Sequence, residues 1–180
     1  MTVGELAFVL VGLPFYLLWV LPNHDDGTLP GLMPWAADGV SPLAAIAAAA
    51  GVLTVTFALF LILHRFFGRT HFQSEATDML ARDFSRADLV PLYLAAGIGE
   101  EFLFRVALVE PLGVVLSAVL FAAIHASYWK KPLIMAFVLV IGLLLGALYA
   151  YTQSLLLCAL VHAIYNYGAT VHLKRQMAAA

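Results

Sequence analysis

Apolar residues in this chain do not alternate with polar ones. They run together in stretches close to the roughly 20 residues that cross a hydrocarbon core as a helix. Six such stretches stand out: Leu6–Leu21, Leu43–Phe67, Leu89–Val109, Leu112–Trp129, Leu133–Tyr151 and Leu155–Leu173. Two of the segments between them are longer than turns. Residues 22–42 hold Pro22, Pro30, Pro34 and Pro42 among scattered large apolar residues, which predicts a loop packed at a membrane interface. Residues 68–88, GRTHFQSEATDMLARDFSRAD, mix charge with Phe72, Met79, Leu80 and Phe84, the pattern of a short amphipathic helix on a membrane surface. The predicted fold is all-α: a polytopic membrane bundle of about six transmembrane helices with one amphipathic surface helix, forming a single domain over residues 1–180. No internal repeat is visible, and Gly142 and Gly146 form a G-x-x-x-G pair that predicts a close helix contact.

Composition agrees with this pattern. Of 180 residues, 63% are hydrophobic and 11% charged, against about 25% charged in soluble domains. A net charge of −2 and the absence of any basic run argue against a nucleic-acid partner. The single cysteine, Cys158, excludes an internal disulfide and a cysteine-ligated zinc, and its place in the sixth stretch predicts a small buried hydrophobe. The N-terminal MTVGELAFVL lacks the positive flank of a secretory signal, so the first stretch is expected to stay as a membrane span.

The basic residues set an orientation. Arg65 lies at the end of the second stretch and Arg69, Arg82 and Arg86 follow it; Lys130 and Lys131 follow the fourth, and Lys174 and Arg175 the sixth. The segments after the first, third and fifth stretches carry none. Six alternating crossings put these eight on one face, which the positive-inside rule makes cytoplasmic. The expected location is a bacterial inner (plasma) membrane with both termini in the cytoplasm.

The remaining basic residue, Arg105, lies inside the third stretch with Glu100 and Glu101, in GIGEEFLFRVALVE. A charge near the middle of a membrane helix costs roughly 2.5–3.5 kcal/mol on insertion scales, so three of them call for a use. Glu101 and Arg105, at i and i+4, share a face and can pair, whereas Glu100 points about 100° away. The fourth stretch places Phe121 and His125 at i and i+4 in LFAAIHASY, and the sixth places His162 and Asn166 on one face in LVHAIYNYG. A single Glu–Arg pair is a common structural ion pair, and a lone membrane histidine is more often a packing group than a catalyst. Two carboxylates, two histidines and an asparagine on three stretches form a convergent set. Such a set suits water activation: a carboxylate takes a proton from water, one histidine shares it, and a histidine with an asparagine donates to a developing oxyanion.

These residues carry a family resemblance. EEFLFR fits E-E-x-x-x-R, FAAIH fits F-x-x-x-H and HAIYN fits H-x-x-x-N, three motifs that occur in this order in the CPBP family of CAAX prenyl endopeptidases and bacteriocin-processing (Abi) intramembrane proteases. The motif-bearing core covers residues 88–170. The resemblance implies a glutamate-type intramembrane endopeptidase acting on a membrane-anchored protein or peptide. It implies Glu100 as the water-activating carboxylate helped by His125, His162 and Asn166 as the oxyanion pair, and Glu101, Arg105 and Phe121 in support. No cofactor is expected; a zinc-dependent version, with carboxylates and histidines as ligands, is the alternative. Val106 stands where the family commonly has glycine, and the segment from the glutamates to His125 is shorter than usual. Compact bacterial members of this kind resemble peptidases that mature or sort C-terminally anchored membrane proteins.

Rivals from other classes are narrower. No H-E-x-x-H is present, no stretch contains an aspartate, and Ser117, Ser127 and Ser154 read as helix-packing or helix-end residues. A proton-coupled carrier would use Glu and His as a relay, but carriers usually show repeated halves. A non-catalytic scaffold that binds a partner's transmembrane segment would keep the same motifs.

Overall fold

A computed structural model of the chain describes residues 2–24, 31–32, 39–68, 71 and 74–179. Its elements are seven α-helices: α1 (Thr2–Phe15), α2 (Pro42–Phe67), α3 (Glu75–Asp83), α4 (Arg86–Glu101), α5 (Val109–Ile124), α6 (Pro132–Thr152) and α7 (Leu155–Ala178). Among the described residues there are no strands, and the protein is an all-α membrane bundle.

Local chemistry fixes where the helices start. The Ser41 hydroxyl accepts from the Ala44 amide, with Pro42 at the first helical position of α2. Capping boxes open α3 (Ser74 with Thr77) and α4 (Ser85 with Asp88). The amphipathic surface helix expected in 68–88 is α3; it buries Leu80 and Ala81, and Phe72 lies outside the described residues. Of the proline-rich loop, residues 25–30 and 33–38 lie outside the described residues. Gly31, at φ +71°, is placed so that its carbonyl accepts from the Leu155 amide at 2.9 Å and its α-carbon abuts the Tyr149 phenol.

Each of the six apolar stretches falls on a helix, but the helices are not equal. α2, α6 and α7 are long and apolar enough to cross a membrane. The other three are shorter or interrupted, for visible reasons. Pro14 removes a backbone donor inside α1, and a π-helical turn over Tyr16–Val20 follows directly. α4 gives way after Glu101 to a π-helical segment, Phe102–Ala107. α5 contains Gly113 at φ +75°, a left-handed conformation open to glycine, which breaks the helix near its start.

Small residues set the packing. The expected Gly142–Gly146 contact is made with α5: a Cβ on Gly142 would meet Ala118 and Phe121, and one on Gly146 would meet Val114. Gly97 of α4 lies against α7, where a Cβ would come within 2.6 Å of the Ala159 carbonyl oxygen. At one end of the bundle, Lys174 donates to the Ala81 and Phe84 carbonyls at 2.8 and 2.9 Å, tying α7 to the end of α3. At the other, His24 meets Glu110 at 3.1 Å.

The glycine contacts give a test. Gly97→Ala is expected to wedge α4 from α7 and cost about 1–3 kcal/mol, as overpacking does. Gly51→Ala, at a helical site with nothing within 4 Å, is expected to be neutral or to stabilise by up to about 1 kcal/mol. Thermal unfolding in detergent measures both, and equal melting temperatures would refute the close-contact reading.

Candidate functional site

Glu101 and Arg105 are fully buried, at 0% exposure. Arg105 Nε–H donates to Glu101 Oε2 at 2.7 Å, and His162 Nδ1–H donates to the other oxygen, Oε1, at 2.8 Å. Both carboxylate oxygens therefore hold a partner, one from the same helix run and one from α7. The Arg105 guanidinium lies over the Phe121 ring, 4.8 Å from its centroid, and its two terminal nitrogens make no hydrogen bond among the described residues. A π-face is a favourable neighbour for a cation held out of water. The π-helical segment that carries Arg105 is pinned from α5, where the Ser117 hydroxyl donates to the Phe104 carbonyl. Val106 is 1% exposed and packs in the core.

Phe121 is the common neighbour of the site. Its ring centroid lies 4.9 Å from that of His125, 6.0 Å from His162 and 5.3 Å from Phe104. Its carbonyl accepts from His125 Nδ1–H at 2.7 Å. This bond belongs to the termination of α5, whose last carbonyls need partners. Phe121 O takes His125 Nδ1–H, Ala122 O takes the His125 amide at 3.1 Å, and Ala123 O takes the Trp129 indole at 2.8 Å. The helix ends at Ile124, and His125 turns inward at its C-cap.

The hydrogen bonds assign the tautomers. A carbonyl and a carboxylate can only accept, so both neutral imidazoles carry their proton on Nδ1 and present Nε2 as a lone pair. Both Nε2 atoms lie 4.0 Å from the same oxygen, Glu100 Oε2. That separation is too long for a direct hydrogen bond and suits one water seated about 2.8 Å from each partner. Glu100, His125, His162 and Asn166 line one cavity of about 200 Å³, with Phe121 in its wall. Glu101 and Arg105 stand behind it, outside the lining.

All seven residues singled out from the sequence are thus in one region, five of them on the cavity. The sequence reading did not find that His162 bridges the two glutamates, Nδ1 to Glu101 and Nε2 toward Glu100, because spacing along one helix says nothing about which ring nitrogen faces which neighbour. It also missed Tyr93, Tyr128 and Thr170, which line the same cavity. Their only signal was a hydroxyl near the end of an apolar stretch. Cys158 is buried away from the cavity lining, its thiol 3.7 Å from the Leu145 carbonyl.

The neutral tautomers bear on what the set can do. Glu100 and two imidazole lone pairs make three acceptors around one point, an arrangement for holding and deprotonating water. His162 can donate from Nε2 only after taking a second proton. The tautomers also suit metal ligation; zinc bonds of about 2.0–2.2 Å would put neighbouring donors roughly 3.3 Å apart, against the 4.0 Å between Glu100 Oε2 and each histidine Nε2. Among the described residues no group of three or more His, Cys, Asp or Glu is gathered closely enough to hold a metal ion.

Comparison with known proteins adds one finding. Residues 83–168, the segment that carries all three motifs, match the family of Rce1-like type II CAAX prenyl endopeptidases. No curated protein and no solved structure matches the chain.

The buried pair makes its own prediction. Arg105→Ala leaves the Glu101 charge without its cation, and breaking such a pair costs about 3–5 kcal/mol. Arg105→Lys keeps the charge but loses the planar group over Phe121, and should fall between the alanine variant and the wild type. Melting temperature and protease resistance in detergent are the readouts; an Arg105→Ala protein as stable as wild type would remove the structural role.

Proposed function

We infer that this chain, which belongs through residues 83–168 to the Rce1-like type II CAAX prenyl endopeptidase family, hydrolyses a peptide bond of a membrane-anchored protein with Glu100 as the base. The family is one of intramembrane endopeptidases, so the general activity is peptide hydrolysis at a membrane. The observation that carries the assignment of residues is the placing of Glu100 Oε2 at 4.0 Å from both histidine Nε2 atoms on a single cavity.

The chemistry follows from the donors and acceptors. A water held between Glu100 and His125 gives one proton to the Glu100 carboxylate as its oxygen bonds to the substrate carbonyl carbon. His125 Nε2 accepts from the water's second hydrogen and aims the attack. The carbonyl oxygen becomes an oxyanion, which needs donors. Asn166 supplies its amide N–H, and His162 joins it when protonated, its imidazolium stabilised through Nδ1 by the Glu101 carboxylate. The C–N bond then breaks as the proton on Glu100 passes to the leaving nitrogen. No step in this scheme is routed through a metal.

Orientation follows from the basic residues. Arg82, Arg86, Lys130, Lys131, Lys174 and Arg175 belong to α3, α4, the α5–α6 turn and the end of α7, which meet at one end of the bundle. With that end in the cytoplasm, both termini are inside and the membrane is a bacterial inner membrane. The cavity, walled in part by Ala76, Thr77 and Leu80 of α3, then lies against the helix on the cytoplasmic side. Substrates are cut near their cytoplasmic border after local unwinding, since a helix keeps its carbonyls in its own hydrogen bonds. Maturation or sorting of C-terminally anchored proteins is a fitting use.

Co-expression with single-span membrane reporters tests the chemistry. Wild type is expected to yield a new fragment, and Glu100→Gln, which keeps the shape of the side chain, to yield none while remaining folded. Cleavage should persist in phenanthroline or EDTA. A fully active Glu100→Gln protein would end the glutamate-base reading, and activity lost to chelator and restored by zinc alone would make the histidines ligands.

Cysteine labelling tests the orientation. With native Cys158 buried, Asn23→Cys should react with an impermeant maleimide from outside intact cells and Ser85→Cys only after permeabilisation. The reverse pattern would invert the protein.

A further inference from the structure

His125 is weakly held by its own backbone. It is the C-cap of α5 with a non-helical ψ of 57°, and its side chain is 23% exposed toward the cavity. The bond from Nδ1 to the Phe121 carbonyl fixes one atom of the ring and leaves the plane free to tilt about that axis. Tilt would swing Nε2 away from Glu100. Two rings oppose it: Phe121, tilted at 58° with its centroid 4.9 Å away, and Tyr128, whose ring lies parallel to the imidazole with centroids 6.1 Å apart and planes within 8°. Offset parallel stacking at this distance is a favourable aromatic geometry.

Tyr128 is itself anchored. It closes the short 3₁₀ turn Ala126–Tyr128, its amide donating to the His125 carbonyl at 2.9 Å. Tyr128 shares the cavity lining with Ala76, Thr77 and Leu80 of surface helix α3, whose N-cap Ser74 forms a capping box with Thr77 and whose far end is held by Lys174.

We propose that Tyr128 is a positioning residue for His125: its stacked ring sets the imidazole plane that aims Nε2 at the Glu100 water. The proposal rests on the reading of His125 as the group that orients the water. Tyr128 touches no reacting atom in this scheme and acts only through His125.

The experiment compares Tyr128→Phe, which keeps the ring, with Tyr128→Leu and Tyr128→Met, which lose the plane; the two apolar variants guard against a folding failure in either. Nuclear magnetic resonance spectra of protein carrying ¹³C,¹⁵N-histidine should show the His125 Cε1–H vector rigid in wild type and Tyr128→Phe and more mobile in Tyr128→Leu and Tyr128→Met, with the Nδ1–H form kept in all four. On the single-span reporter cut by wild type, Tyr128→Phe should stay within about threefold in kcat. The non-aromatic variants should fall about tenfold or more with KM within about threefold, since a misplacement near 1 Å can cost about 100-fold. Wild-type His125 spectra in both non-aromatic variants would overturn the proposal, and so would a loss of kcat that tracks melting temperature alone. The spectra need no substrate, so their outcome is separate from the fate of the Glu100 assignment: cleavage by Glu100→Gln would sink that reading and leave the positioning result standing.

Discussion

One carboxylate organises this protein. Glu101 lies at zero exposure and divides its two oxygens between Arg105 at 2.7 Å and His162 at 2.8 Å. A lone carboxylate could not remain charged in that place, and a lone guanidinium would fare little better. The pairing makes each tolerable and joins α7 to the run that α4 begins. It also has a consequence one residue away. With Nδ1 engaged by Glu101, His162 is turned so that Nε2 faces Glu100, and the buried charge pair becomes the device that orients a ring in the cavity. The relation of carboxylate, histidine and reacting group resembles that of hydrolytic triads, where a buried acid holds the tautomer of the base.

Arg105 extends the same constraint to α5. Its guanidinium lies on Phe121, which contacts both histidines and whose carbonyl takes the His125 proton. Ser117, one turn earlier, holds the π-helical segment through Phe104. π-helical turns are rare and concentrate at functional sites, because the extra residue in the turn re-aims the side chains on either side. Here the turn begins immediately after the two glutamates, so the segment between Glu101 and Ala107 meets α1, α5 and α7 together. Gly12 of α1 makes room for it, with Phe102 and Leu103 within 3.2 Å of where a Cβ would stand.

Much of this was legible in the sequence because it is local. Apolar runs, i and i+4 pairs and the Gly142–Gly146 pair are all properties of a single helix, and each appears where its pattern put it. The Glu101–Arg105 pair needed only one helical turn to be foreseen. What could not be read lies between helices. The rotation of α7 decides that His162 bridges both glutamates. Gly113 at positive φ breaks α5 near the start of an apolar stretch that showed no break apart from one glycine. Tyr128 offered only its hydroxyl as a signal, since a tyrosine beside Trp129 and two lysines is an ordinary sight at a membrane interface.

The shortness of α5 explains why a cavity exists. Backbone that leaves a helix within a membrane must satisfy its carbonyls without water, and such backbone persists only where protein or a cavity surrounds it. The end of α5 meets that condition with its own residues: His125 and Trp129 occupy the carbonyls of Phe121, Ala122 and Ala123. Because His125 serves as a cap, its Nδ1 is committed and its Nε2 is free for chemistry. Because the helix stops there, the space beyond is closed by the side chains of α3, α6 and α7 instead of by more helix. A substrate strand faces the same rule. Its unwound carbonyls need donors inside a low-dielectric space, and the cavity offers them beside the water that Glu100 would activate. If Glu100 is the base as proposed, the termination of one helix supplies both its histidine partner and the polar lining that an extended chain would need there.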